Sequence, residues 1–198
     1  EGQMAWLCTV VKTWGSSPRP IGSLLCCNAE GHVTGSLSGG CIEEDLLERL
    51  RDGRLATEKP QLVIYGATDE EAERFQLPCG GQLHVIIEPM SDQRSLAQLR
   101  QVVSRLEVRE CIERRLDIAT GDMEVEDKDR FTHLKFIGEF DDNSPDDKTL
   151  VQTYGPRYQL FLIGAGQVST FLAQIAQMLD YHVVVCDPRE DMIEQWPV

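Results

Sequence analysis

Two cysteines in this chain stand beside paired glycines, in Ser38-Gly39-Gly40-Cys41 and in Cys79-Gly80-Gly81. The first group falls where a glycine-rich loop runs into a helix. Such a junction leaves main-chain N–H groups unpaired at the positive end of the helix dipole. A thiol at the cap or first turn is drawn toward thiolate there, which makes it a stronger nucleophile and a better ligand for a soft metal. Cys79 precedes two glycines in the loop that leads into the next strand. The two sulfurs can therefore converge on one pocket, with Cys41 and Cys79 as candidate metal ligands. The bland alternatives are a small packed cysteine and two unrelated tight turns.

A third group lies in "TWGSSPRPIGS". Ser16, Ser17 and Arg19 can donate hydrogen bonds to an anion, with Arg19 held between Pro18 and Pro20; structurally, the same residues make a proline-stiffened turn. A fourth is Gly164-Ala165-Gly166-Gln167-Val168-Ser169, which fits the glycine fingerprint of a dinucleotide-binding turn with Ser in the third small position. Gly164 would permit the tight turn, and Gly166 would let the backbone approach a pyrophosphate at the helix start. Asp187 lies 21 residues after Gly166, near the spacing of a ribose-binding carboxylate. This pattern predicts either NAD(P) binding or the same fold without a cofactor. No catalytic acid, base or nucleophile can be assigned from spacing. The four histidines, His32, His84, His133 and His182, show no metal-ligand spacing, and the Arg-rich "ERRLD" reads as a solvated strand face.

These residues need elements to position them. "AWLCTVVKTW", "SLLCCN" and "HVTGSLS" read as strands, the last two joined by "AEG". A helix follows over residues 42–52, with Ile42, Leu46, Leu47 and Leu50 on one face and Glu43, Glu44 and Asp45 in its first turn. "QLVIYG" and "QLHVIIEPM" are further strands, "DEEAERF" and "DQRSLAQLRQVVSRLE" are helices, and "ECIERRLDIATGDMEVED" is a hairpin turning at "ATGD". "EFDDNSPDDKTL" is an acidic linker and places a domain boundary. Beyond it, a strand, the glycine turn, a helix and a strand ending at Asp187 make one βαβ unit. The expected fold is α/β: a mixed α+β domain over residues 1–140, then a partial Rossmann-like βαβ domain over residues 154–198.

The 198 residues carry 19 Lys and Arg against 33 Asp and Glu, a net charge of −14. That balance argues against a nucleic-acid partner, since phosphate neutralisation needs clustered cations, and against an anionic membrane surface. No apolar run approaches the ~20 residues of a membrane span. The seven cysteines are odd in number and lack CxxC spacing, which predicts a reducing, cytoplasmic setting rather than a disulfide framework. A two-stranded βαβ unit leaves an open sheet edge, so a homo-oligomer is also expected.

Four segments, "TWGSSPRPIGSLL", "GSLSGGCIEEDL", "LPCGGQLHVIIEP" and "LFLIGAGQVSTFLAQIAQMLDYHVVVCDPRED", together resemble the XdhC/CoxI family of accessory factors for xanthine dehydrogenase and related molybdenum hydroxylases. The resemblance implies an XdhC/CoxI domain followed by a Rossmann-like domain. It implies binding of molybdenum cofactor (molybdopterin), protection of it while its terminal sulfur is installed, and delivery to the apo-enzyme. The implied partners are a xanthine dehydrogenase-type hydroxylase and a cysteine desulfurase, and the implied role is maturation rather than turnover. The family's Ser-Gly-Gly-Cys falls on Ser38 to Cys41, its Cys-Gly-Gly on Cys79 to Gly81, its Gly-Ala-Gly on Gly164 to Gly166, and its Asp-Pro-Arg on Asp187 to Arg189. Two departures from the family pattern stand out. The helix that usually precedes the first strand is missing, as is the rest of the Rossmann-like domain.

Overall fold

Alternation along the first strand decides the architecture around it. In β1 (Ala5–Trp14), Trp6, Cys8 and Val10 are buried on one face, and Thr9 and Val11 on the other. The structure is a computed structural model that describes residues 4–15, 19–75, 81–140 and 147–197, except the side chains of Cys41, Asp69, Ala72 and Glu73. The chain divides into two units. Unit 1 comprises Glu1–Leu99, Arg114–Glu124 and His133–Gln152; unit 2 comprises Arg100–Glu113, Val125–Thr132 and Thr153–Val198.

In unit 1, β1 joins β2 (Leu24–Asn28), β3 (Val33–Gly35), β4 (Gln61–Tyr65) and β5 (Gln82–Pro89) in a sheet of order β3-β2-β1-β5-β4. Its pairings are antiparallel, with a bulge in β1 between Val10 and Lys12. One face packs against α1 (Cys41–Arg51), whose Ile42, Leu46 and Leu50 meet Trp6, Cys8, Val10, Leu25, Val85 and Ile87. Full burial of each such aliphatic side chain contributes about 1.5–3 kcal/mol, so this stripe anchors the helix and the loop before it. Trp6 satisfies its indole by donating Nε1–H to Ala56 O at 3.1 Å. On the opposite face, Val11 and Ile86 meet Leu116, Ile118, Met123 and Leu150. The short α2 (Asp69–Arg74) precedes β5 in the chain.

A second sheet has the order β7-β6-β9-β8, from β6 (Cys111–Asp117), β7 (Met123–Lys128), β8 (Lys135–Ile137) and β9 (Thr149–Tyr154). α3 (Gln93–Glu107) takes the helix expected there, while these strands correct the sequence reading in two places. "ERRLD" is not a solvated face: Arg114 is fully buried and makes a bidentate pair with Glu88, Nη2 to Oε1 at 2.6 Å and Nη1 to Oε2 at 2.9 Å. The partner carboxylate comes from β5, 26 residues away, and such a bidentate charge pair makes burial tolerable. The acidic stretch expected as a linker ends in structure: residues 141–146 lie outside the described residues, and Thr149 and Leu150 begin β9 with Leu150 fully buried.

In unit 2, β10 (Tyr158–Ile163) and β11 (Tyr181–Cys186) pair in parallel, from Tyr158 opposite Tyr181 to Ile163 opposite Cys186. A parallel pair needs a crossover, and α4 (Gln167–Met178) supplies it, giving the expected βαβ unit. Asp187 follows β11, and α5 (Glu190–Glu194) comes next. The α/β expectation holds.

Candidate functional site

The loop before α1 is organised by one carboxylate. Glu43, in the first turn of α1, turns back and accepts hydrogen bonds from four main-chain N–H groups: Leu37 at 3.0 Å, Ser38 at 2.8 Å, Gly39 at 2.7 Å and Gly40 at 3.0 Å. The Ser36 hydroxyl donates to it at 3.0 Å, and the Ser38 hydroxyl donates to its other oxygen. Burial alone would push this carboxyl up. The Ser38 hydroxyl and then the N–H groups of Ser38, Gly39 and Gly40 outweigh it and bring the pKa down to about 2. Gly39 takes a left-handed conformation, φ +84°, which lets successive amides point inward at one anion.

The sequence reading expected those N–H groups to be open to a ligand. They are not: the protein's own Glu43 occupies them. The signal was present, because a Glu three residues after the cap is the helix-start pattern in which a side chain reaches back to the cap's N–H. The reading assigned Glu43 only a favourable interaction with the helix dipole. What remains open is the outer backbone surface. Gly39 and Gly40 are exposed, and a Cβ added at Gly40 would meet nothing within 4 Å.

Cys41 is the first residue of α1, next to that bare surface, and its side chain lies outside the described residues. Ser16, Ser17, Cys79 and Gly80 also lie outside them, so the expected convergence of the two sulfurs concerns atoms the structure does not describe. Arg19 is exposed, and Gly81 is buried just before β5. Among the described residues, no group of three or more His, Cys, Asp and Glu side chains is arranged to hold a metal.

The second glycine turn shows the same habit. Gly164 is left-handed at φ +101° while Gly166, the cap of α4, is not, at φ −98°. Asp187 Oδ2 accepts the Ala165 N–H at 2.8 Å. Arg189 grips the same carboxylate with Nε at 2.9 Å and Nη2 at 2.8 Å, and its own N–H donates at 3.0 Å. The Arg189 guanidinium, then the N–H groups of Ala165 and Arg189, hold the Asp187 carboxyl well below the usual carboxylate range. The acid expected to face a ribose is thus engaged by the turn itself.

A different thiol pair emerges inside unit 1. Cys8 on β1 and Cys27 on β2 are both buried, on one face of neighbouring strands. Interaction with Cys27, then burial, pushes the Cys8 thiol up, and the same interaction lowers Cys27. The sequence reading missed this pair because it depends on strand register, with Cys27 opposite Trp6. Unit 1 also holds a cleft of about 820 Å³ lined by Arg49, Ala56, Gln61, Glu71, Phe140 and Lys148 among others, and none of the described candidate residues lines it.

Residues 1–66 match the model of the XdhC and CoxI family. The chain is 25% identical over 209 residues to a Bacillus subtilis (strain 168) protein named as a probable subunit of xanthine dehydrogenase, covering 96% of this chain and 61% of that protein. It is 32% identical over 123 residues to molybdenum cofactor insertion chaperone PaoD of Escherichia coli (strain K12), covering 59% of this chain and 35% of that protein. Its fold matches the crystal structure of a xanthine dehydrogenase from Bacillus halodurans with a TM-score of 0.58 at 22% identity, over 96% of this chain and 60% of that one. The chain therefore spans less than two thirds of the length of each of these relatives. Over residues 1–66, a third of its length, the chain is similar to the XdhC and CoxI family.

Proposed function

We propose that this chain holds molybdenum cofactor and delivers it to a molybdenum hydroxylase of the xanthine dehydrogenase type, as a maturation chaperone rather than a turnover enzyme. The observation that carries this reading is the loop locked on Glu43, which sets the backbone of Cys41 at the start of α1 beside exposed Gly39 and Gly40. The relative named as a molybdenum cofactor insertion chaperone supports it.

The residues fit one end of the cofactor and not the other. A thiolate at a helix start suits a soft metal centre, and bare glycine backbone beside it leaves room for close approach. A phosphate on the loop amides does not fit, because Glu43 fills them. When bound, the cofactor supplies a metal centre that can take a thiolate or a transferable sulfur. Cys41 would meet that centre, Cys79 would complete the thiol set, and Arg19 would face an anionic part. The finer elements of the reading are a cysteine desulfurase that delivers the terminal sulfur, a cytoplasmic setting, a homo-oligomer, and division into domains 1–140 and 154–198.

The test is cofactor retention. Purified protein, with Cys41→Ala and Cys79→Ala variants, is assayed for bound molybdenum and pterin. Each variant should retain at least about tenfold less than the parent, as expected for loss of one metal–thiolate bond worth more than about 1.4 kcal/mol. Parental retention in both variants would end the reading. Adding NAD(P) to the same samples separates the alternative oxidoreductase, which requires nucleotide binding and hydride transfer.

A further inference from the structure

Unit 2 contains a cleft of about 600 Å³ bordered by the first residues of β10 and β11. This is the opposite end of the parallel strands from the glycine turn at residues 164–166. Its volume falls in the range of small-molecule sites. The charge of the cleft runs against that of the chain. In a molecule of net charge −14, Arg105, Arg109, Arg130 and Arg157 all line it.

Two of these arginines are engaged. Arg105 bonds Glu110 at 2.9 Å and Asp127 at 2.6 Å, and Arg109 bonds Asp180 at 3.5 Å. Lys128, also at the cleft, is paired with Glu113 and Glu126. Arg130 and Arg157 are different. Among the described residues, neither has a carboxylate within 4.0 Å, although Asp129 shares the cleft. Arg157 instead lies over the Phe131 ring, 5.4 Å from its centroid. A guanidinium stacked by its face keeps its in-plane N–H donors for another partner. Tyr158 lines the cleft too, stacks on Tyr181 at 5.3 Å between centroids, and remains 61% exposed.

Two guanidinium forks without a carboxylate partner among the described residues match a tetrahedral, multiply charged anion better than a single carboxylate. Aromatic rings at the same cleft match a flat partner. We propose that this cleft binds a phosphate ester carried on a flat heterocycle, with Arg130 and Arg157 on the phosphate and Phe131 and Tyr158 bordering the ring. The proposal uses none of the residues of the loop before α1; its pterin arm rests on the cofactor reading and gives a place to the phosphate that the Glu43-filled loop does not take, whereas its nucleotide arm is independent of that reading.

Two sources offer this chemistry, a nucleotide and a phosphorylated pterin, and calorimetric titration of the whole chain tells them apart. The probes are AMP, a phosphorylated pterin, adenosine and inorganic phosphate. At least one phosphorylated ring should bind, at least tenfold more tightly than adenosine or phosphate alone, and the tighter of the two identifies the source. Arg130→Gln and Arg157→Gln should each weaken it about tenfold or more, the scale of a lost charge-assisted contact. Both side chains are at the surface, so thermal melting of the variants should match the parent and separate lost binding from lost folding. Gly166→Ala should leave binding unchanged. The proposal is overturned if neither phosphorylated ring binds, if both arginine variants bind like the parent, or if only Gly166→Ala loses affinity.

Discussion

The turn at residues 36–40 and the turn at residues 164–166 are both glycine-rich, both open a helix, and both close on a carboxylate of the same chain. They differ in how that carboxylate is stabilised. Glu43 comes from the helix that the turn starts and is held by dipoles: four main-chain N–H groups and two hydroxyls. Asp187 arrives from the end of β11, meets one turn N–H, and is neutralised by the Arg189 guanidinium. The first arrangement makes the loop and its anion one object. The second adds a clip to a turn that strand and helix already define. A glycine-rich helix start is thus no proof of an open anion site, since the chain can supply the anion itself.

The sharpest way to break this comparison is to remove Glu43. Glu43→Ala strips six hydrogen bonds at once and leaves inward-facing N–H groups without a partner. Each such group costs about 1–3 kcal/mol where water cannot reach it. Since Gly39 and Gly40 are exposed and can be rehydrated, the expected loss is about 2–4 kcal/mol, read from urea denaturation. A loss under about 0.5 kcal/mol, the scale of an ordinary surface substitution, would mean the carboxylate decorates a loop formed without it. The acid limb gives an independent reading. The folded pKa, about 2, lies below the ordinary 4.5, so this stabilisation is fully present above about pH 4.5 and is lost as pH falls toward 2. In full that interval corresponds to roughly 3.4 kcal/mol; solvent at the half-buried rim reduces it to about 1–2 kcal/mol. Glu43→Ala should flatten stability against pH across that window.

The glycines sharpen the comparison further, because they fall into matched pairs. Gly39 and Gly164 are left-handed at φ +84° and +101°, whereas Gly40 and Gly166, at φ −166° and −98°, are not. A Cβ at any of the four meets no atom closer than 4.0 Å, so alanine reports backbone strain alone. Gly39→Ala and Gly164→Ala should each cost about 1–2 kcal/mol, and Gly40→Ala and Gly166→Ala less than about 0.5 kcal/mol. Equal costs within a pair would show that φ is not why the glycine is there. Gly40→Ala is also the clean variant for cofactor retention, since it covers the exposed backbone while leaving the fold intact.

What could be read from the sequence divides along the same physical line. The α1 stripe of Ile42, Leu46 and Leu50 is a local periodicity, and the structure buries all three. The βαβ unit was legible because an apolar run, a glycine turn and a second apolar run admit few arrangements. Arg114 was not legible, since its burial depends on Glu88, a partner in another strand. The pairing of Cys8 and Cys27 on one face likewise depends on register. β8 has three residues, and β9 begins in a stretch whose acidic character hides it. At the candidate site, the positions of Ser38 to Cys41 at the helix start were legible. The filling of the loop was not deduced, although Glu43 stood at the capping position, because a carboxylate near a helix start fits both a dipole interaction and a closed loop.

The smallest expected effect belongs to Asp187, and it decides whether the two turns differ in kind. In Asp187→Asn, the amide oxygen can still accept the Ala165 N–H, so the turn keeps its link to the end of β11. What disappears is the charge facing Arg189; the Asp187 side chain is only 1% exposed, but Arg189 is 61% exposed and can be solvated instead, so the pair contributes less than one buried on both sides. The depressed carboxyl also sets the sign with pH: the contribution is present at neutral pH and fades only as acid protonates Asp187 below the usual carboxylate range. Thermal melting at pH 7 should therefore move less for Asp187→Asn than for Glu43→Ala or Gly164→Ala. Hydrogen exchange at Ala165 should stay slow. If Asp187→Asn instead unfolds the chain as readily as Glu43→Ala, the guanidinium clip holds the second turn as fully as dipoles hold the first, and the distinction between them fails.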